Sequence, residues 1–432
     1  MIPKEHELPQ NTDVCGNTFL TYLDRSDRRL YNIEDVYSER KECFGKESTV
    51  MEMKKQKIDF RKYIGMVFFL VIGGVCGWFF GYYLGETVSE GAGPGETLMA
   101  VGLLLLGFYV MLYLQIVIHE AGHLVFGLVT GYRFLMFRIG SLRLLRDPDS
   151  GKVRIKRMQL AGTGGQCLLV PPVPVDGRIP FALYHLGGSL MNLIASAVFF
   201  VLYLVSRPIP TLSLIMLVGV IVGIAFALMN GIPMRLGTLD NDGYNFLSQT
   251  KSAAAMEAMR IQLLIVAESA KGIRLRGMPS AWFEIPEGGT AENSLIAVIR
   301  VFACNRLMDE GRYAETEEAI RTLLGEKTGI VGVHRSMLLC DRATCLLLLG
   351  RISEADALLT KELKAFMKAM KTNPSIVRCQ YAFAKLSAND AGRTESIRKA
   401  FDACAAKYPY PADIESEFDI LTAIDAAADK TV

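Results

Sequence analysis

The sequence His119-Glu120-Ala121-Gly122-His123 contains the residue types best suited to chemistry in this chain. On a helix, positions 119 and 123 are four residues apart, so both imidazoles project from one face and can bind the same metal ion. Glu120 lies on the same turn, where its carboxylate can take a proton from a metal-activated water and deliver it to a leaving amine. This arrangement predicts zinc-assisted hydrolysis of a peptide bond.

The motif lies inside an apolar run, residues 98 to about 130, that is long enough to cross a bilayer. An ionisable side chain at the bilayer centre costs about 2.5–3.5 kcal/mol on insertion scales, so a group of them needs a compensating partner. The alternative is that these polar residues mark a helix end at the membrane surface. The chain has only 5 histidines, which makes this spacing by chance rare.

Composition narrows the class of protein. Apolar residues make up 51% of the 432 residues, which is typical of a membrane protein with soluble portions. The formal net charge is +2 and no strongly basic face is evident, so nucleic acid is not an expected partner. The 9 cysteines are scattered without a CxxC pair, which predicts reduced thiols and neither a disulfide framework nor a second zinc site.

Four apolar runs define the predicted membrane spans: residues 63–85, 98 to about 130, 181–205 and 212–232. We see no secretory signal at the start of the chain. Basic residues precede the first run and fill residues 132–179, so both of these segments, and with them both termini, are predicted to be cytoplasmic. His123 would then lie about seven residues, roughly 10 Å, inside the cytoplasmic edge, and a polar cavity must bring water to it.

The basic segment contains a turn signal, residues 147–151, between two stretches of strand character. Beyond it, Val153 and Ile155 alternate with Arg154 and Lys156, as in a half-exposed strand. The pattern predicts a β-hairpin. Its open edge either pairs with an extended substrate by strand addition or simply caps the helix bundle.

Further candidate residues follow the fourth run. Asn230-Gly231-Ile232-Pro233 ends the helix, and Asp240-Asn241-Asp242-Gly243 comes shortly after. A catalytic zinc site with two histidines needs a third protein ligand, and a carboxylate serves. Asp242 can also cap the helix that starts near Tyr244, and the two roles are compatible. His185 is the other histidine at membrane level; because its spacing offers no partner, we expect a hydrogen-bonded interfacial side chain.

Taken together, these residues resemble the site-2 protease family of intramembrane zinc metalloproteases over residues 63–248. The resemblance implies one Zn²⁺ per chain held by His119, His123 and Asp242, with Glu120 as catalytic base and acid. It also implies that Asn230 and Pro233 line the site.

The stretch from Gly188 to Asn192 looks like the family's Gly-x-x-x-Asn element, which implies that Asn192 helps to bind substrate or to stabilise the oxyanion. The segment after Pro233 is longer than the common form and offers Asp240 as a competing ligand. Asp242 is favoured because Gly243 follows it.

The C-terminal third has a helical pattern with a loose repeat. Gly311-Arg312 and Gly350-Arg351 each follow a helical stretch, and Gly392-Arg393 echoes them more weakly. The period of roughly forty residues is longer than the usual tetratricopeptide length of about 34. The region therefore resembles a tetratricopeptide array, with a generic helical bundle as the alternative. The concave face of such an array would bind a cytosolic partner or a substrate's cytosolic tail.

The sequence as a whole predicts a mainly α protein: a polytopic membrane helix bundle of about four spans with a small cytoplasmic β-hairpin insert and a soluble C-terminal repeat-like helical domain. The predicted parts are a cytoplasmic N-terminal segment (1–62), the metalloprotease core (63–248), a helical linker (249–290) and the cytoplasmic tetratricopeptide-like domain (291–432).

The expected function is cleavage of a membrane-anchored protein or peptide near the cytosolic face, in a bacterial cell membrane. The alternatives are a catalytically silent scaffold that recruits partners through its C-terminal helices, and a protease that matures a small exported peptide.

Overall fold

The computed structural model describes residues 21–24, 29–32, 93–146, 151–157, 164–235 and 240–430, together with single helical positions between 67 and 85. The chain divides into two units, residues 1–60 and 61–432. In the first, β1 (Thr21–Asp24) pairs antiparallel with β2 (Arg29–Asn32). The rest of the predicted segment 1–62, and the first predicted span as a continuous element, lie outside the described residues.

Three helices in the described part of the chain are long and apolar enough to cross a membrane: α1 (Pro94–Val129), α2 (Phe181–Val205) and α3 (Pro210–Gly231). They coincide with the second, third and fourth predicted runs to within four residues at each end. Proline occupies the first turn of α1 and of α3, where its missing N–H costs nothing. The predicted total of about four spans stays a prediction.

Helices α1 and α2 approach each other closely at two glycines. A side-chain carbon on Gly122 would overlap the carbonyl oxygen of Gly187, and one on Gly187 would crowd that of Gly122. Small residues permit such backbone contact between membrane helices. On the outer surfaces, large apolar side chains such as Leu106, Val110 and Val201 are exposed, as suits contact with lipid. The close crossing brings the histidine face of α1 against α2.

The predicted β-hairpin is confirmed, but it is part of a larger sheet. Strands β4 (Leu142–Arg146) and β5 (Val153–Arg157) pair antiparallel as expected. Two further strands, β3 (Arg133–Ile139) and β6 (Gly165–Val170), complete a four-stranded sheet in the order β5-β4-β3-β6. The expectation of a hairpin alone was therefore wrong. Gly165 begins strand β6. Glycine within a strand often marks a close approach of another group.

Two helices connect α3 to the C-terminal helices: α4 (Asp242–Lys251) and α5 (Ala253–Ala270). One face of α5 packs on the sheet, where Ala267 and Ala270 join Met136 and Leu145 in a buried cluster. Its other buried side chains pack against the next long helix. Because α5 contacts both neighbours, it ties the sheet to the C-terminal helices.

The remaining helices follow in chain order: α6 (Ser294–Asp309), α7 (Tyr313–Gly325), α8 (Gly332–Leu348), α9 (Ile352–Ala357), α10 (Lys361–Ala369), α11 (Pro374–Ala382), α12 (Ala391–Ala405) and α13 (Pro411–Asp429). Short 3₁₀ turns lie between α5 and α6 (Leu275–Gly277 and Ser280–Phe283), and a π-helical turn (Phe383–Ser387) extends α11. Their shared core contains most of the buried cysteines, Cys340, Cys345 and Cys379 among them. No disulfide joins the cysteines of the described residues, in line with the predicted reduced thiols.

Two of the predicted repeat turns are equivalent in structure. Gly311 and Gly350 have φ values of 74° and 73°, and each ends one helix while the following arginine precedes the next. In each case this arginine also pairs with a glutamate three residues later. Gly392 instead lies inside the first turn of α12, so the prediction of a third repeat turn at this position was wrong. The domain limits at residues 249 and 291 stay predictions.

Candidate metal centre

Three side chains from distant segments converge at one point: His119 and His123 of α1 and Asp242 at the start of α4. The Nε2 atom of His119 lies 3.0 Å from Oδ2 of Asp242, and that of His123 lies 3.3 Å from the same oxygen. The two Nε2 atoms are 3.2 Å apart. The three atoms thus form a nearly equilateral triangle with no other group between them.

Hydrogen bonds at the far side of each ring define its tautomer. Nδ1 of His119 lies 2.8 Å from Oδ1 of Asn192, and Nδ1 of His123 lies 2.6 Å from the carbonyl oxygen of Tyr184. Both partners are acceptors, so each Nδ1 carries the proton and donates it. Each Nε2 is then left with a lone pair directed at the shared point. This is the arrangement that holds metal-binding histidines in place in other proteins.

The orientation of Asn192 is itself determined by a buried chain of amides. Its Nδ2 donates to the carbonyl and to Oε1 of Gln115, at 3.0 and 2.7 Å, so its Oδ1 must face His119. Gln115 in turn donates from Nε2 to the carbonyl of Gly219 on α3, at 2.8 Å. Asn192 and Gln115 are both fully buried. This series of hydrogen bonds connects all three membrane helices and fixes the orientation of the His119 imidazole.

Asn241 brings Asp242 to the histidines. Its Nδ2 donates to the carbonyls of Met229 and Ile232 at the end of α3, while its Oδ1 accepts from the backbone N–H of Tyr244. One side chain therefore closes the end of α3 and caps the start of α4. Gly243 packs so closely on Gly231 that any side chain there would overlap its carbonyl.

The neighbouring Asp240 does not reach the histidines. Its Oδ1 accepts a hydrogen bond from Nε of Arg235 at 3.2 Å. Of the two aspartates, Asp242 alone lies in the cluster of the described residues. Its role as the third metal ligand stays a prediction.

The donor set fits Zn²⁺. Ligands at about 2.0–2.1 Å from a tetrahedral zinc lie about 3.3 Å from one another, and the separations here are 3.0 to 3.3 Å. Imidazole ligands suit zinc, copper, iron or nickel, whereas magnesium and calcium prefer oxygen ligands. Three protein ligands leave the fourth tetrahedral position for water or substrate. The cluster opens on the aspartate side, since the Asp242 side chain is 24% exposed against 8% and 9% for the imidazoles.

Charge also favours a cation at this point. Burial alone would raise the pKa of Asp242, but when no metal is bound the protonated imidazoles of His123 and His119 outweigh it and hold that pKa well below its usual range. The carboxylate is therefore ionised at neutral pH, with both of its histidine neighbours in contact with one oxygen. A bound metal ion would take the place of the proton that this contact demands.

Glu120 is buried beside the cluster, against the first residue of β6. A side chain on Gly165 would overlap the carboxyl group of Glu120, so the strand can lie here only because that residue is glycine. Gly188 plays the same part for His119, since a Cβ there would lie 2.5 Å from the ring. Gly165 thus restricts the position of Glu120, and Gly188 that of His119.

Among the described residues, neither Asn230 nor Pro233 forms a hydrogen bond with the triangle. Asn230 donates to the carbonyl of Phe226 on its own helix, and Pro233 is exposed beyond the end of α3. Their predicted roles in substrate binding stay predictions. Nε2 of His185 pairs with Nε2 of Gln249 on α4 at 2.5 Å, which agrees with the expected hydrogen-bonded, non-ligating histidine.

Sequence reasoning missed Gln115, Asn241 and the carbonyl of Tyr184. A signal existed for Asn241, because an asparagine directly before an Asp-Gly pair at a helix start is a common cap. The signal for Gln115 was weaker: an amide in the middle of an apolar run needs a hydrogen-bond partner. Nothing local marks a backbone carbonyl as a hydrogen-bond acceptor for a histidine 61 residues away.

Comparisons with protein-family models, curated proteins and solved structures found no match to this chain.

Proposed function

We propose that this protein is a zinc-dependent intramembrane endopeptidase that cuts a membrane-anchored protein or peptide near the cytosolic face. The observation that carries the proposal is the triangle of His119, His123 and Asp242, formed beside Glu120 on a helix long and apolar enough to span a membrane. Two lone-pair nitrogens and one carboxylate oxygen at tetrahedral separations suit a catalytic zinc.

The chemistry assigned to Glu120 follows from its place on the turn between the two histidines. Zn²⁺ bound in the triangle would supply Lewis-acid chemistry, polarising a carbonyl and making water a stronger acid at neutral pH. Glu120 would take the proton of the attacking water and pass it to the leaving amine. Its carboxylate is buried and held against Gly165, which limits the directions from which water and substrate can approach.

The position of the site along α1 supports cleavage near one membrane surface. His123 lies six residues before the end of the helix at Val129, which is roughly 9 Å along its axis. The sheet that follows is rich in arginine and lysine, which is typical of a cytoplasmic segment. Strand β6 is an edge strand among the described ones and begins next to Glu120. An extended substrate segment added along that edge would pass close to the catalytic carboxylate.

The C-terminal helices fit a second role in the same protein. Their two equivalent turns at Gly311 and Gly350 support a repeat-like array, and arrays of this kind expose surfaces for protein partners. We assign to them the recruitment of a cytosolic protein or of the cytosolic tail of a substrate.

The test compares the wild-type protein with Glu120→Gln, and uses Glu96→Gln as the matched control because Glu96 lies exposed in the first turn of the same helix. We expect stoichiometric zinc in all three proteins. Fragments the size of a membrane helix should appear in cells with the wild type and the control, and fall by about 10²–10⁴-fold with Glu120→Gln.

Each other outcome has a distinct meaning. A fully active Glu120→Gln protein would show that the catalytic assignment is wrong. A wild-type protein that binds zinc but yields no fragment would favour the silent scaffold. A fragment that derives from a small exported peptide would identify a maturation protease.

A further inference from the structure

A cavity of about 440 Å³ lies between the sheet and the C-terminal helices, and His119, Glu120, His123 and Asp242 are not among the residues that line it. Strands β4 and β6 contribute Arg143, Gln166 and Leu168 to its wall, and helices α5, α6, α8, α11 and α13 supply most of the rest. The segment between α12 and α13 adds Tyr408 and Tyr410. Its volume falls within the range of about 300–1,000 Å³ typical of small-molecule sites. Most of the lining is apolar, so a ligand here would be largely desolvated.

Arg143 is the anomalous residue of this wall. It is 2% exposed, and its Nε and Nη1 atoms have no hydrogen-bond partner within the described part of the chain. The ring of Tyr410 lies 5.9 Å from its guanidinium carbon, within the range of a cation–π contact. A buried charge without a counterion is costly, and such groups are normally paired.

The cross-strand neighbour of Arg143 makes its position less favourable still. Arg138 lies directly opposite in the register of β3 and β4 and is 1% exposed. Burial, and next the like charge of Arg143, lower the pKa of Arg138. Like charges directly opposite one another destabilise a sheet. An anion beside Arg143 would offset both effects.

The acidic residues of the wall are already partnered and do not fill that role. Asp341 and Glu417 both accept hydrogen bonds from Arg378, and Asp309 accepts from Arg274. Burial, with Glu417 nearby, raises the pKa of Asp413 to about 7, and Tyr408 donates a hydrogen bond to it. The wall therefore contains one guanidinium, that of Arg143, with no acidic partner among the described residues, and several acids that have a partner.

This distribution selects the charge and shape of the ligand. A phosphate group carries nearly two negative charges, and Asp341 and Glu417, which line the same cavity, would repel the second. A monoanion whose two oxygens match the fork of a guanidinium suits Arg143 better. Apolar residues such as Ile265, Val298 and Phe302 line the space beyond.

We propose that this cavity binds a small organic monocarboxylate with an apolar body, and that its carboxylate pairs with Arg143. His334 supplies a second polar contact, since its buried Nδ1 has no partner among the described residues and it lines the same cavity. Binding requires no proteolysis, so the site stands or falls separately from the proposed peptidase activity.

The experiment measures binding to the full-length protein in lipid nanodiscs by calorimetry. The probes are octanoate and 4-phenylbutyrate, the neutral 4-phenylbutanol as an isostere, and inorganic phosphate. We expect saturable binding of one carboxylate per chain, at least tenfold tighter than the alcohol, and no saturation by phosphate.

Arg143→Met should weaken carboxylate binding at least tenfold, whereas Arg146→Met, at the exposed end of the same strand, should not. If Arg143→Met does not fold, Ser416→Phe fills the cavity from the opposite wall and should abolish binding by itself. Equal binding of acid and alcohol, preference for phosphate, undiminished binding by either variant, or no saturable carboxylate binding would each overturn the proposal.

Discussion

The protein buries two clusters of ionisable side chains that differ in how their charge is balanced. In the C-terminal helices, Arg378 donates from Nη2 to Asp341 at 2.5 Å and from Nε to Glu417 at 2.7 Å. In the membrane helices, the triangle around Asp242 contains one carboxylate and two nitrogens with free lone pairs. The first cluster contains its own cation. The second lacks one.

On our proposal, the two clusters have different roles. Arg378 bridges α8, α11 and α13, so its ion pairs hold three helices in one arrangement. The membrane triangle contributes acceptors alone at its centre, which is an unfavourable way to hold helices together unless an ion binds there. Buried charge thus serves the fold in one region and, on our proposal, chemistry in the other. Variants of the two clusters test this contrast.

Asp242→Ala should remove the metal centre and with it the activity. Loss of one of three ligands should bring zinc content at equal free zinc close to zero, and turnover should fall at least as far as in Glu120→Gln. Elemental analysis of the purified protein measures this. The matched control is Asp240→Ala, whose carboxylate pairs with Arg235 instead and whose loss should leave zinc content unchanged. Equal zinc loss in both variants would contradict the assignment of Asp242.

Arg378→Met should destabilise the fold and spare the metal. It leaves Asp341 and Glu417 buried without a counterion, so the free energy of unfolding should fall by about 3–5 kcal/mol. Urea titration of the full chain in mild detergent, followed by circular dichroism, gives this value, while zinc content should not change. Replacing all three residues of the cluster by apolar ones should recover most of the loss.

The control for Arg378→Met is Glu395→Ala, which breaks the exposed pair with Lys399 and should have little effect. A loss of zinc in Arg378→Met would mean that the two clusters are coupled, contrary to the contrast drawn here.

Asn192→Ala tests whether this residue orients His119. Removal of such a partner typically weakens metal affinity by about 10–100-fold. Competition with a fluorescent zinc chelator measures the affinity, and Asn230→Ala, whose amide bonds to its own helix, should keep the wild-type value. If Asn192→Ala instead raises KM for substrate with zinc affinity unchanged, the residue acts on substrate, as the family resemblance implied.

Local patterns in the sequence located the parts of the site that depend on local geometry. The spacing of His119 and His123 predicted one helical face, and the apolar run of residues 181–205 matched α2 at both ends. The hairpin β4–β5 was visible because its turn signal and strand alternation are local. Strands β3 and β6 were missed because they pair although they are far apart in sequence. The sequence around Gly165 does not show that this residue packs against Glu120.

Long-range pairing explains the rest of what was missed. Asp242 could be ranked above Asp240 but not placed, since its position depends on the contacts of Asn241 with α3. The juxtaposition of Arg138 and Arg143 follows from strand register, which a basic segment does not reveal. The cavity beside them needs helices from three separate parts of the chain.

Strand β6 contributes to both the metal centre and the cavity. Its first residue, Gly165, touches the carboxyl group of Glu120, and the next, Gln166, forms part of the wall near Arg143. One peptide unit separates them, so a ligand beside Arg143 would lie near the strand that contacts Glu120. Turnover measured in the presence of an apolar monocarboxylate such as octanoate should therefore be compared with turnover in its absence before any rate is attributed to the bare enzyme.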